Sequence, residues 1–435
     1  KIGYRDARIV RDSTWRNDKE ELIVQITVDE GSQYYFRNIT WKGNSIYDSQ
    51  TLSDVLGIQK GDVYNQELLQ TRLQFSQDGR DVSSLYMDNG YLFFQVDPIE
   101  VAVAEDSIDL ELRVFEGPQA SIDNVSIAGN DRTHEHVIRR ELRTLPGEKF
   151  SRSDIIRSQR QIVNLGYFNP ESLGINTPVN PDRGTVDIEY TVEEKPSDQL
   201  ELSAGWGGQN RVIGTLGVSF NNFSLRNIFN KEAWRPLPQG DGQRLSLRAQ
   251  TNGDFYQSYN ASFTEPWLGG KKPNSFTVAG FYNRFAFGRR NTDDYQSFNI
   301  IQGSVSFGTR LKWPDDNFVA TTAINIQTLN LNNWGRGLFR SDDGELVSEG
   351  SYNNFSIRQT FARSTVNDPI FPRDGSRISL TVQLTPPYSL FSNKDFSDAN
   401  AAEKFRYLEY HKWRFDAEWY TPIVGKLTLM TSSKI

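Results

Sequence analysis

Between residues 301 and 313 the chain alternates without a break. Ile301, Gly303, Val305, Phe307, Thr309, Leu311 and Trp313 share one face, and Gln302, Ser304, Ser306, Gly308, Arg310 and Lys312 share the other. That period of two belongs to a pleated strand, because a helix would scatter the apolar residues around its circumference. His411, Trp413, Phe415, Ala417 and Trp419 oppose Lys412, Arg414, Asp416 and Glu418 in the same way. So do Ile378, Leu380, Val382 and Leu384 against Arg377, Ser379, Thr381, Gln383 and Thr385, a stretch fenced by Pro369, Pro372, Pro386 and Pro387, which cannot donate to a ladder. One such strand fits a soluble β-sandwich as well as a membrane barrel. Repetition decides, since charges on one face and aromatics on the other match a polar lumen and a lipid-facing exterior.

Composition is compatible with that reading. No run approaches the roughly 18 apolar residues of a membrane-spanning helix, and the start KIGYRDARIV is no signal peptide. A mean hydropathy of −0.58 does not oppose a barrel, in which only alternate residues face lipid. The net charge of −7 gives no basic footprint for nucleic acid, and the absence of cysteine removes disulfides, thiolate catalysis and Cys-ligated zinc.

Eleven strands are expected after Pro196, over 200–206, 213–221, 244–251, 257–263, 275–287, 297–313, 318–331, 355–363, 377–385, 408–421 and 426–431. Bacterial single-chain barrels have even strand numbers, so the barrel is expected to be incomplete. Seven of the nine tryptophans lie in this half, and Trp267, Trp313 and Trp419 fall at strand ends, where amphipathic rings anchor at a membrane interface.

The first half repeats itself. FRNITWKGN (36–44) recurs as IDNVSIAGN (122–130) at an offset of 86, which also carries Leu56 onto Leu142, Gly61 onto Gly147 and Tyr64 onto Phe150. A partial third copy, Gly3-Tyr4 and LIVQITVDEG (22–31), opens the chain. Each full unit reads β-α-α-β-β. Helices are expected over 48–56, capped by Asp48 or Ser49, over 65–88 with an interruption at Asp78-Gly79, and near 132–142 and 152–165. Strands follow at 92–103 and 108–115.

This tandem resembles the POTRA domain, the periplasmic module of outer-membrane assembly and secretion proteins. SFTEPWLGGKKP (262–273), NDPIFPRDGSRISLTVQLTPPYS (367–389) and LELSAGWGGQNRVIGTLGVSF (200–220) are similar to the barrel of the POTRA-plus-barrel insertase family, in the form found in the Bacteroidota. The resemblance implies α+β tandem POTRA modules followed by an antiparallel transmembrane β-barrel of which about 11 strands are present. Domains are expected at 1–32 (the C-terminal part of a module), 33–117, 118–195 (the last module) and 196–435 (the N-terminal portion of the barrel). The family's Val-Arg-Gly-Phe motif is absent from the sequence and is expected beyond Ile435.

The resemblance also implies roles. In the family the first barrel strand is a lateral gate, which places it at Leu200, Leu202, Ala204, Gly205, Trp206, Gly207 and Gly208. Glycine packs no side chain across a ladder, which suits a seam that opens, although a glycine-rich strand also makes room for bulky lumen residues. The modules' edge strands, about 92–101 and 167–176, would accept an extended client through Leu92, Phe94, Val96, Tyr167 and Phe168; these edges also fit a purely structural reading. Function is expected to be insertion of unfolded outer-membrane barrel clients at the seam. The alternative is a secretion pore for one dedicated partner, and an outer-membrane enzyme lacks a catalytic constellation. Expected partners are those clients, accessory lipoprotein subunits and the lipid bilayer, without nucleic acid, at the outer membrane of a Gram-negative cell with the modules in the periplasm.

No catalytic residue, metal or cofactor is expected. His134-Glu135-His136 offers two imidazoles, but at a helix start such residues read as exposed polar side chains. Gly240-Asp241-Gly242 and Asp342-Asp343-Gly344-Glu345 lack the spacing of a P-loop or an EF-hand and read as strand-connecting loops.

Overall fold

The computed structural model describes all residues except 1, 77–78, 208–210, 235–236, 316, 337–339, 341–343, 345, 367–370, 392–400 and 426. Gly208 of the expected gate and Asp342, Asp343 and Glu345 of the loop motif therefore lie outside the described residues. The chain divides into two compact units, Lys1–Asn130 with Glu141–Glu194, and Asp131–Arg140 with Lys195–Ile435.

The first unit opens with an antiparallel pair, β1 (Arg8–Arg16) and β2 (Leu22–Asp29). A full module follows: β3 (Tyr35–Lys42), α1 (Ser49–Leu56), α2 (Gln66–Gln74), α3 (Val82–Met87), β4 (Gln95–Ala104) and β5 (Ser107–Phe115). Asp48 caps α1 by accepting from Thr51 N at 2.7 Å, and Gly57 ends the helix in the left-handed region. The helix expected over 65–88 is two helices. Gly79 turns at φ +69°, and buried Asp81 restarts the chain as the α3 cap while also accepting from Ser76 N. Leu52, Leu56, Leu69, Leu73, Val82 and Tyr86 bury one face of the three helices with Phe36, Ile108, Leu110 and Leu112 of the sheet, each such side chain contributing about 1.5–3 kcal/mol.

The second module runs β6 (Ser121–Ala128), α4 (Glu135–Arg139), α5 (Arg152–Asn164), β7 (Gly174–Asn176), β8 (Val179–Asn180) and β9 (Thr185–Thr191). Its α4 segment groups with the second unit. The sheets are ordered β3-β5-β4 and β6-β9-β7, with the first strand parallel to the middle one in each.

The repeat has a backbone cause. The parallel ladder shifts register between Phe36 and Ile39 in one module and between Ile122 and Val125 in the other. At that irregularity Asp109 accepts from Asn38 N at 3.1 Å, and Asp187 from Asn124 N at 3.0 Å. Gly43 and Gly129 then turn at φ +89° and +90° against a carbonyl, where an added Cβ would collide with Val114 O or Val192 O. A shared device joins successive repeats: Gly90 O accepts from Ala120 N at 2.8 Å, and Gly3 O from Tyr34 N at 2.7 Å. Between the two modules, Arg152 of α5 donates to Gln74 O at 2.9 Å and lies 4.5 Å over the Phe75 ring, while Asp88 accepts from Ser153 N at 2.7 Å.

The second unit is an antiparallel meander of eleven strands in chain order: β10 (Gln199–Gly207), β11 (Arg211–Phe223), β12 (Gln243–Asn252), β13 (Tyr256–Glu265), β14 (Ser275–Phe287), β15 (Gln296–Arg310), β16 (Phe318–Asn332), β17 (Gly350–Ser364), β18 (Gly375–Leu384), β19 (His411–Val424) and β20 (Leu427–Lys434). Its burial is inverted relative to a soluble sheet. Ile324 and Ile326 are exposed while Asn325 between them is buried, and exposed Ile301, Val305 and Phe307 alternate with half-buried Gln302, Ser304 and Ser306. Apolar side chains outward and polar ones inward are the arrangement of a barrel wall in lipid. β16 and β18 end, and β17 and β19 begin, on the rim away from the start of β10, where Phe298, Leu329, Leu331, Trp334, Val347 and Tyr352 form an apolar cluster. Among the described residues, no helix is long and apolar enough to cross a membrane.

Candidate functional site

β10 is the first candidate. It is hydrogen-bonded to β11 alone among the described residues, in unbroken register from Gln199↔Ser219 to Gly207↔Arg211. Alternation puts Leu200, Leu202, Ala204 and Trp206 on the outer face, and Leu200, Leu202 and Trp206 are 72 to 79% exposed. On the inner face Glu201 forms the strand's one described side-chain ion pair, accepting from Arg248 Nη2 of β12 at 2.9 Å. At Gly205 a Cβ would meet nothing within 4 Å. Among the described residues, then, crowding does not demand glycine at this one position.

The module edges differ in detail from expectation. β4 is an edge strand, but it begins at Gln95, so Leu92 and Phe94 lie in the preceding turn. Phe94 and Val96 are buried in the module core, because one face of an edge strand still covers the hydrophobic layer. Tyr167 and Phe168 are likewise buried, ahead of a three-residue β7. What these edges offer outward is backbone, interrupted in β4 by Pro98 and by a register shift between Glu100 and Ala102.

The three tryptophans share one rim. Counting from β10, Trp267 and Trp313 follow strands β13 and β15, which return to the rim where β10 starts. Trp419 pairs with Ser376 at the start of β18, on that same rim. Trp419 stands within β19 rather than at its end.

A constellation that sequence reasoning missed lies on this rim too. The segment Asp131–Arg140 and the β11–β12 connection belong to one unit, and they bring His134, His136 and Asp241 together. His134 Nδ1 lies 2.8 Å and His136 Nε2 3.7 Å from Asp241 Oδ1, and the two rings stack with centroids 5.7 Å apart. Asp241 is buried, and its Oδ2 accepts from Ser224 Oγ at 2.6 Å. Burial alone would push the Asp241 carboxyl up, but the Ser224 and His134 hydrogen bonds and nearby positive charge hold it below its ordinary value. Burial pushes the His136 imidazolium down, assisted by Arg140, His134 and Arg226 and opposed by Asp241. The two motifs are 107 residues apart, and neither predicts the other.

Comparison with known proteins places this architecture. The profile described as the Omp85 superfamily domain matches residues 239–435. The POTRA profile, described as surface antigen variable number repeat, matches 34–117 and 120–195. The chain is 22% identical over 454 aligned residues to the outer membrane protein assembly factor BamA of Neisseria meningitidis, covering 100% of this chain and 50% of that one. It is 27% identical over 386 residues to BamA of Nitratidesulfovibrio vulgaris, covering 86% and 43% respectively, so it spans about half the length of these relatives. The crystal structure of Haemophilus ducreyi BamA lacking POTRA domains 1–3 superposes with a TM-score of 0.56 at 18% identity, over 90% of this chain and 68% of that one. Inverted burial in the sheet, tandem POTRA modules before it and these matches together make the chain a BamA-like member of the Omp85 superfamily, an outer-membrane protein with its POTRA modules in the periplasm.

Proposed function

We propose that this protein inserts other barrel proteins into the outer membrane, with β10 as the strand at which a client is templated. The observation that carries the reading is the meagre side-chain tethering of β10. It is nine residues long against 15 for β15, β16 and β17, and Glu201 alone among its described residues makes an ion pair into the sheet. A client strand in lipid without a ladder partner leaves each backbone polar group unsatisfied at a cost of several kcal/mol. A preformed edge satisfies those groups during insertion and needs no nucleotide. In this reading the β4 and β7 edges receive extended clients through backbone hydrogen bonds, Trp267, Trp313 and Trp419 hold the periplasmic rim at the headgroups, and accessory lipoprotein subunits attach on the periplasmic side.

Depletion tests the proposal. Quantitative analysis of the outer-membrane fraction is expected to show loss of many unrelated barrel proteins. Loss of one exported protein alone would instead identify a dedicated secretion pore, and normal assembly of all barrels would refute insertion.

A further inference from the structure

The His134, His136 and Asp241 constellation has the make-up of a metal site. Its three ligand atoms all lie within 4.8 Å of one another. His134 is the extended N-cap of α4, at φ −64° and ψ 139°, so its ring lies beside that of His136 two positions on, which a continuous helix would not allow. The opposing loop is shaped to meet them. Gly240, at φ +121°, approaches so closely that an added Cβ would lie 2.8 Å from Arg132 O and 2.9 Å from His134 Cε1, and Gly240 O accepts from His134 N at 3.0 Å. Asn222 locks both sides, accepting from Gly242 N at 2.9 Å and donating to Thr133 Oγ1 at 2.8 Å.

We propose that His134, His136 and Asp241 bind a zinc-class divalent cation that clasps the segment 131–140 to the β11–β12 connection. Two imidazole nitrogens and one carboxylate oxygen, with water in the fourth position, form a donor set suited to zinc. Bond lengths of about 2.0–2.2 Å in a tetrahedron put donors about 3.3 Å apart. The His134–Asp241 pair therefore opens by about half an ångström and the other pairs close, a change that two half-exposed imidazoles can make by rotation. Ser224 on Oδ2 is the outer hydrogen bond that orients a ligating carboxylate. Binding would replace the His134–Asp241 hydrogen bond with two metal bonds. Arg140 and Arg226, whose charges act on His136, oppose a cation and moderate the affinity. This inference does not depend on the insertase reading.

The chain has three histidines, so spectroscopy can assign the site. The full chain in detergent, stripped with a chelator, is titrated with cobalt(II) alone. One equivalent is expected to give the intense visible absorption of a four-coordinate site, to be displaced by zinc, and to raise the melting temperature. His136→Gln leaves the His134–Asp241 hydrogen bond and the fold in place, and is expected to weaken cobalt binding about tenfold or more. Ser224→Ala is expected to weaken it about tenfold through the lost outer hydrogen bond. Absence of the visible band, or binding by His136→Gln as tight as that of the parent chain, would overturn the proposal; a band that survives His136→Gln but is lost in His411→Gln would place the metal elsewhere.

Discussion

The carboxylate of Glu201 reaches over Gly217 to accept from Arg248 Nη2 at 2.9 Å, so that an ion pair spans from the first strand of the sheet to the third. The three residues share one row, since Glu201 pairs with Gly217 and Gly217 with Arg248. Glycine at 217 gives the crossing its room, because an added Cβ would lie 3.1 Å from Glu201 Oε2 and 3.2 Å from Glu201 Cβ, so the glutamate would have to shift by a few tenths of an ångström.

Glu201→Ala, which removes the pair, is therefore expected to loosen β10, and Gly217→Ala, which crowds it, to act in the same direction but less. Both side chains of the pair are about half exposed, so the loss to global stability is small, about 0.2–1 kcal/mol. The local effect is larger: amide hydrogen exchange in β10 should quicken while that of β15 stays unchanged. In the Glu201→Ala background, Arg248→Ala should add nothing further. An additive effect would show that the pair is not what tethers β10.

The wall gives a second prediction. Ile324→Arg, on the lipid face near the middle of β16, should destabilise the barrel in vesicles by about 2–4 kcal/mol. Ser304→Arg, on the inner face and one pairing away at Ser304↔Asn325, should cost much less. Urea titration of the vesicle-inserted chain distinguishes them, and equal costs would contradict the assignment of faces.

Within the modules, Gly43→Ala and Gly61→Ala separate two roles of glycine. Both positions have positive φ, at +89° and +93°, which costs an L-residue about 1–2 kcal/mol. Gly61 has open space for a Cβ, whereas Gly43 faces Val114 O. Gly43→Ala should therefore be the more damaging, measured by denaturant unfolding followed through Trp41, whose Nε1 donates to Ser53 Oγ in the same module.

Acid should loosen the first module through Asp109. The Arg37 guanidinium, donating at 2.8 and 2.6 Å, holds the Asp109 carboxyl below its ordinary range. A carboxyl depressed in the folded state contributes stability that is present above its unfolded value and is lost as pH falls through the folded value. Asp109→Asn should lower stability at neutral pH and flatten the acid limb of the stability profile. An unchanged acid limb would remove Asp109 from this role.

Most of the wall was legible because a two-residue period survives any tertiary context. All eleven expected strands are present, and 275–287 agrees at both ends with β14. Caps were equally legible, as at Asp48. Strand ends were not: 297–313 stops at Arg310, since where pairing ceases depends on the neighbouring strand. The burial of Phe94, Val96, Tyr167 and Phe168 escaped the family resemblance, which supplied an edge without saying which way its side chains point. His134-Glu135-His136 and Gly240-Asp241-Gly242 were each visible as motifs, but their meeting was not, because two short motifs 107 residues apart acquire joint meaning only when folding brings them together.

One consequence of the repeated junction concerns mechanics. Gly3 and Gly90 hand the chain to the next repeat through the same carbonyl-to-amide bond, and Arg152 and Asp88 brace the second of these joints from either side. A joint made from backbone and braced by a guanidinium resists bending. The two full modules are then closer to levers sharing a stiff joint than to beads on a string, so a push on β4 and β5 would arrive at α5 as a displacement, not dissipate as slack.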